Sequence, residues 1–147
     1  MLVSQKDQYA LQAVLELAKR HGRGPVKVSA IAEAQSIPAR FLEVILNELK
    51  QSGFLASRRG KRGGYFLLVS PEELSVGDVI SSVQGPMRVA APRTSASHSF
   101  PSDDGVLQSL WKRVEQAISG ICDSTTFADL VEQERLEVGM RVPTYAI

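Results

Sequence analysis

Cysteine is nearly absent from this chain of 147 residues: Cys122 stands alone. One thiol cannot close an intrachain disulfide, so a cross-linked secreted scaffold is excluded and a reducing cytoplasm is the expected address. Histidine is almost as scarce. Only His21 and His98 are present, and neither stands with Cys122 at a spacing that makes a metal site or a catalytic triad. No apolar run approaches the roughly 20 residues that a bilayer crossing requires, so no membrane partner is expected. The opening MLVSQKDQYA reaches charged side chains at once and lacks the apolar region of a signal peptide. A phosphate-binding P-loop is also missing: Leu55 stands where the first glycine before Gly60-Lys61 would be. These absences argue against an enzyme, and no cofactor and no metal are expected.

What is present is ordinary for a globular protein. At 44% hydrophobic and 22% charged residues, the chain suits one compact domain, or a small domain with an added dimerisation element. Its formal net charge of +1 conceals a division. Residues 1–64 carry eleven bases against five acids, a net +6, and the remainder carries six against eleven, a net −5. A basic N-terminal half joined to an acidic C-terminal half points to a polyanion partner for the first half only.

The local patterns give that half a form. Ser4 and Asp7 match a capping box, and Ala10, Ala13, Val14, Leu17 and Ala18 form an apolar stripe at helical spacing, widened by Leu11 and Leu15. Gly22 and Gly24 end this helix. Ser29 is the candidate N-cap of a short helix containing Ile31 and Ala32. A tight turn at Gln35-Ser36-Ile37 follows, and then a longer helix from Pro38 that should bury Phe41, Leu42, Ile45, Leu46 and Leu49 and stop at Gly53. Helix, short turn and longer amphipathic helix make a helix-turn-helix, whose second helix enters the major groove of DNA with its N-terminal residues against base edges. FLASRRGKRGGYFLLVS then reads as two short strands joined by a glycine-rich basic turn, a wing.

A second Ser-x-x-Asp box at Ser75 and Asp78 begins a helix that ends at Gly85-Pro86. Residues 86–104 are rich in Pro, Ser and Ala without a sustained period and read as a flexible connector. Beyond them, Leu107, Leu110, Val114, Ala117 and Ile121 recur in steps of three and four, with Trp111 and Ile118 alongside. That is the pattern of a helix–helix seam, and it predicts a dimerisation element over 105–135. A third box at Thr126 and Asp129 opens a last helix, and 136–147 reads as an irregular tail. The expected fold is mainly α with a small β-wing: a winged helix-turn-helix over 1–85 and a long C-terminal dimerisation helix.

Both DNA-contacting parts of such a fold are loaded with suitable side chains. Arg58, Arg59, Lys61 and Arg62 put four cations into five wing-tip positions. Their mutual repulsion is relieved when phosphates accept them, so binding should weaken steeply with salt. On the reading helix, Ser36, Ala39, Arg40 and Glu43 lie near the start and off the apolar stripe. Arg40 suits guanine, and Glu43 suits a cytosine amino group or the rejection of wrong sequences. Arg40 and Glu43 could instead pair with each other across one turn. Asn47 and Lys50 suit phosphate. Cys122, beside the seam, reads either as a small apolar residue or as a redox switch between two chains.

From Ser29 to Gly85 the sequence resembles the Rrf2 family of bacterial winged-helix transcription regulators. The resemblance is carried by the helix from Pro38, the wing ending in Gly63-Gly64-Tyr65, and the helix start Leu74-Ser75-Val76-Gly77-Asp78-Val79-Ile80. It continues more weakly through Leu110-Trp111 and Thr126-Phe127-Ala128-Asp129-Leu130. It implies a homodimer built around the long C-terminal helix and bound to a near-palindromic operator. It also places Arg40, Phe41 and Glu43 at the start of the reading helix and Arg59 and Lys61 on the wing. Well-known members hold an iron–sulfur cluster on three cysteines in the connector. Here 86–105 contains no cysteine, so this is expected to be a member without those ligands, with His98, Asp103 and Asp104 poor substitutes. The expected function is a sequence-specific, homodimeric regulator, a repressor of transcription on double-stranded DNA, whose effector is a small molecule or a protein. The alternative is a protein-interaction module that docks a partner through its winged helix or its acidic C-terminal half.

Overall fold

The computed structural model of the chain describes residues 3–85 and 104–141. Helix α1 spans Gln5–Lys19. The Ser4 hydroxyl accepts the Asp7 amide at 3.1 Å, and the Asp7 carboxylate accepts the Ser4 amide at 2.9 Å. The expected capping box thereby satisfies donors that a helix start leaves without partners. All five residues of the apolar stripe are buried. Leu11 and Leu15 pack at its edge, which is why α1 can serve as the central post touching helices before and behind it.

Helix α2 spans Val28–Gln35 and helix α3 Ala39–Gln51. The start of α2 corrects the sequence expectation. Lys27, not Ser29, occupies the N-cap, and no side chain caps this end. The amides of Ala30 and Ile31 both reach the Lys27 carbonyl, at 3.0 and 3.1 Å, and Val28 packs against the core, so the helix begins before Ser29 can cap it. In the turn, Ser36 adopts the left-handed conformation with φ 54°, and buried Ile37 anchors it. Helix α3 buries Leu42, Ile45, Leu46 and Leu49 as expected. Phe41 does not follow: it is 58% exposed. One position before Leu42 on a helix is a rotation of about 100°, which carries its ring off the core stripe.

Strands β1 (Leu55–Arg58) and β2 (Gly64–Leu67) pair antiparallel, with Leu55 opposite Leu67 and Arg58 opposite Gly64. Two glycines permit the turn between them. A side chain on Gly63 would collide with the Arg58 carbonyl, and one on Gly64 (φ 146°) with the backbone of Val26.

Helix α4 covers Val76–Gln84, with the Ser75–Asp78 capping box formed. Helix α5 runs over Asp104–Ser124 and helix α6 over Phe127–Arg141. The Thr126–Asp129 box is formed too.

One expectation about this end changes. Residues 136–141 continue α6 rather than forming an irregular tail; the Glu132–Arg135 pair (2.6 Å) and the Gln133–Glu137 bond support the helix one turn at a time. Of the expected dimerisation span 105–135, the α6 part also packs into the core of the winged helix. The Phe127 amide donates to the Leu74 carbonyl and the Ala128 amide to that of Pro71, both at 3.0 Å. Phe127 is wholly buried in the same core as α1, with Leu130 and Val131 packed against it. Thus α6 completes the winged-helix body, and α5, packed on α4, is the element that leaves it. Of the connector expected over 86–104, Asp104 begins α5, and 86–103, including His98 and Asp103, lies outside the described residues, as does 142–147.

Candidate nucleic-acid interface

Arg40, Glu43, Val44 and Asn47 follow one another on α3 at one-turn spacing, and all four are exposed. They form a stripe opposite buried Leu42, Ile45, Leu46 and Leu49. Ser36 and Ala39 are exposed at its N-terminal end. Sequence reading named every polar member of the stripe and missed Val44, which is 55% exposed; stepping four residues on from Arg40 was the signal that could have found it. Arg40 and Glu43 do not pair with each other among the described residues, where the ion pairs of α1 and α3 are Lys6–Glu48 at 2.9 Å and those around Glu16. Both side chains are therefore open on the exposed face of α3.

The remaining sequence-selected residues divide by place. Ser29 is exposed in the first turn of α2. Phe41 lies beside the stripe with Val44, over a shallow hollow lined by Gln5, Lys6, Tyr9 and Ile45. The Lys50 ammonium donates to the Ser57 hydroxyl at 2.7 Å, tying the end of α3 to β1 and so orienting the wing against the reading helix. Arg58 lies over the Phe66 ring at 5.4 Å from its centre, a cation–π contact that holds it on the sheet. Arg59, Lys61 and Arg62 are exposed at the turn and meet no acid among the described residues. Cations held together without counter-charges suit phosphate oxygens.

The wing has a third edge that sequence reading did not find. Val26 bridges Tyr65 on β2, which brings Lys27 and the uncapped start of α2 beside Gly64.

Most of the seam residues on α5 are exposed among the described residues. Leu107, Leu110, Trp111 and Ile121 are 55%, 42%, 41% and 68% exposed. Ala117 is exposed, and Val114 and Ile118 are half-buried. Cys122 is half-buried on the same helix; burial, and then the nearby Asp123 charge, push its thiol pKa up, which works against thiolate chemistry.

Comparison with known proteins agrees with this architecture. The Rrf2 family model, described as an iron-dependent transcriptional regulator, matches residues 3–133. The HTH-type transcriptional regulator CymR of Bacillus subtilis (strain 168) is 33% identical over 130 residues, 88% of this chain and 89% of its own. The HTH-type transcriptional regulator IscR of Escherichia coli O1:K1 / APEC is 33% identical over 147 residues, 99% of this chain and 90% of its own. Among solved structures, B. subtilis CymR, described as the global cysteine regulator, is similar with a TM-score of 0.78 at 31% identity, over 90% of this chain and 98% of that one. T. potens IscR is similar with a TM-score of 0.75 at 33% identity, over 91% and 88%.

Among the described residues the donors do not fit the iron in the family description. The chain's single thiol stands on α5 next to an acid that disfavours the thiolate. No group of three or more His, Cys, Asp or Glu residues converges among the described residues. No helix there is long and apolar enough to cross a membrane. With the match running from residue 3 to 133 and relatives a third identical over nearly their full lengths, this chain belongs to the Rrf2 family of winged-helix transcriptional regulators, and not to a class of enzymes.

Proposed function

We propose that two copies of this chain bind a near-palindromic operator in the cytoplasm as a sequence-specific repressor, without a cysteine-ligated iron–sulfur cluster. The observation that carries the reading is the exposed stripe Arg40–Glu43–Asn47 next to a wing whose Arg59, Lys61 and Arg62 have no acidic partner among the described residues. In this reading α3 enters the major groove. Arg40 donates to guanine, Glu43 accepts from a cytosine amino group, and Asn47, Lys50, Ser29 and the wing cations hold the backbone. The exposed seam from Leu107 to Ile121 joins two copies, which sets half-sites about one helical turn, ~34 Å, apart. A dimer seated across adjacent major grooves covers the DNA and obstructs its use by other proteins, which supports repression. The signal is a small molecule or a protein acting on this dimer.

The test is selection of binding sites from random duplex DNA by the purified protein, followed by affinity against salt. A palindrome with a steep salt dependence is expected. Replacing Arg59 and Lys61 together with alanine should weaken binding to all sequences and reduce the slope of log affinity against log salt by about 0.9 for each phosphate that is no longer neutralised. Unchanged affinity and slope would remove the wing from the interface.

A further inference from the structure

Glu16 is 5% exposed on α1 and is the meeting point of three donors from the body of the protein. Its Oε2 accepts from the Gln35 amide nitrogen at 2.9 Å and faces the Lys19 ammonium at 3.2 Å; its Oε1 accepts from Arg20 Nε at 2.9 Å. Lys19 in turn reaches Glu134 on α6 at 3.1 Å, and the other oxygen of Glu134 is buried without a hydrogen-bond partner in the described structure.

The two ends of this line are significant. Gln35 is the last residue of α2, immediately before left-handed Ser36 and buried Ile37, and those residues set the direction in which α3 leaves the turn. Glu134 stands on α6, which follows α5 after a turn of two residues, Thr125 and Thr126. The line Gln35–Glu16–Lys19–Glu134 therefore runs from the base of the reading helix to the helix pair that carries the seam. A buried carboxylate with only local partners would serve α1 alone. Here Oε1 is held locally by Arg20, whereas Oε2 joins Gln35 of α2 to Lys19, which carries the link on to Glu134 of α6; its removal would deprive the Gln35 amide of this acceptor.

We propose that Glu16 is a positioning residue for operator reading: through Gln35 it holds the helix-turn-helix turn, and through Lys19 and Glu134 it makes the orientation of α3 depend on where α6 lies. This inference rests on the DNA-binding reading above. Any effector that shifts α5 and α6 then changes operator affinity through this line without touching the reading residues.

The experiment uses the operator selected by the wild-type chain. It compares affinity for that operator with affinity for an unrelated duplex, at one salt concentration, in Gln35→Ala, Glu134→Gln and the double variant. Thermal midpoints are measured in parallel. Glu134 is at the half-buried end of the line, so its variant folds even where Glu16→Gln does not. Each single change should lower the specific-to-non-specific ratio by about five-fold or more, the lower edge of usual site-to-site coupling. The double variant should lose no more than the worse single one, because both cut the same line. Lower midpoints with an unchanged ratio, or losses that multiply, would overturn the coupling and leave Glu16 a structural anchor. A wild-type chain that prefers no duplex removes the DNA reading together with the coupling; a wild type that selects an operator whose variants keep the ratio removes the coupling alone.

Discussion

Val26 and Tyr65 exchange two backbone hydrogen bonds, each 2.8 Å long, so the strand that leaves the wing is stitched to the loop that enters α2. The approach is close enough that Gly64, with φ 146°, has no room for a Cβ against the Val26 carbonyl. Gly64→Ala therefore has to distort both the wing root and the start of α2. It should destabilise the fold by about 1–3 kcal/mol, the range for a strained backbone residue. Chemical denaturation measures this. A loss within about 0.5 kcal/mol of zero, as an ordinary surface change gives, would show that the wing root yields freely.

Phe127 supplies a second prediction. It has no exposed surface, and it joins α6 to the core built on α1. Phe127→Ala should cost about 3–5 kcal/mol, as for other buried aromatics. The unfolding transition should stay single, because α6 and the winged helix share one core. Two separate transitions would show that the C-terminal helices unfold apart from the winged helix.

What was legible in the sequence was local. Ser4–Asp7, Ser75–Asp78 and Thr126–Asp129 each span three residues, and each predicted helix start is real. The stripe of α1 and the four leucine and isoleucine positions of α3 were equally visible, since a helix repeats its buried face every three to four residues. Phe41 was misplaced because hydrophobicity was read without its angle on the helix. Ser29 was misplaced because residue type was allowed to choose the cap, whereas packing of Val28 chose it. The Val26–Tyr65 bridge, the return of α6 onto α1 and the Glu16 hub join residues 19 to 115 positions apart. No local pattern marks them.

The Glu16–Lys19 pair makes stability depend on pH at both ends of the scale. Burial pushes the Glu16 pKa up, but hydrogen bonds from Gln35, Lys19 and Arg20, with the Lys19 charge, outweigh it and hold the carboxyl below its usual 4.5. A depressed carboxyl stabilises the fold fully above the unfolded value and loses that contribution as pH falls through the folded one. For Lys19, burial pulls the pKa down, and Glu134 and Glu16 outweigh it and raise it above 10.5. Its contribution is full below 10.5 and is lost as pH rises through the folded value. Thermal midpoints should thus drop below pH 4.5 and above 10.5. Glu16→Gln should flatten the acid limb, and an acid limb left intact would place its origin in other carboxylates.

Glu43 and Arg59 should differ in kind. Glu43 is exposed on the α3 stripe and Arg59 at the wing turn. Glu43→Ala should relax base preference at one position of each half-site, by about 1–3 kcal/mol of discrimination, with little effect on binding to unrelated duplex. Arg59→Ala should weaken both kinds of duplex together. Competition binding with single-base operator variants separates the two, and equal losses for Glu43→Ala on all duplexes would assign it to folding.

The seam on α5 gives the prediction with the widest reach. The helix is 21 residues long, about 31 Å, and it presents Leu107, Leu110, Trp111 and Ile121 at 41–68% exposure. Apolar side chains at that spacing on one stripe are unfavourable in water, and a second identical helix crossing them buries both sets at once. A carboxylate placed at Leu110 would have to be desolvated in such a contact without a partner. Leu110→Glu should therefore yield a folded monomer in sedimentation, with its helical circular dichroism preserved because the core of α1, α3 and α6 does not include Leu110. Operator affinity should fall with dimerisation, since one copy reaches only one half-site. A variant that stays dimeric would move the interface off this stripe, and a monomer that keeps full operator affinity would separate DNA reading from pairing.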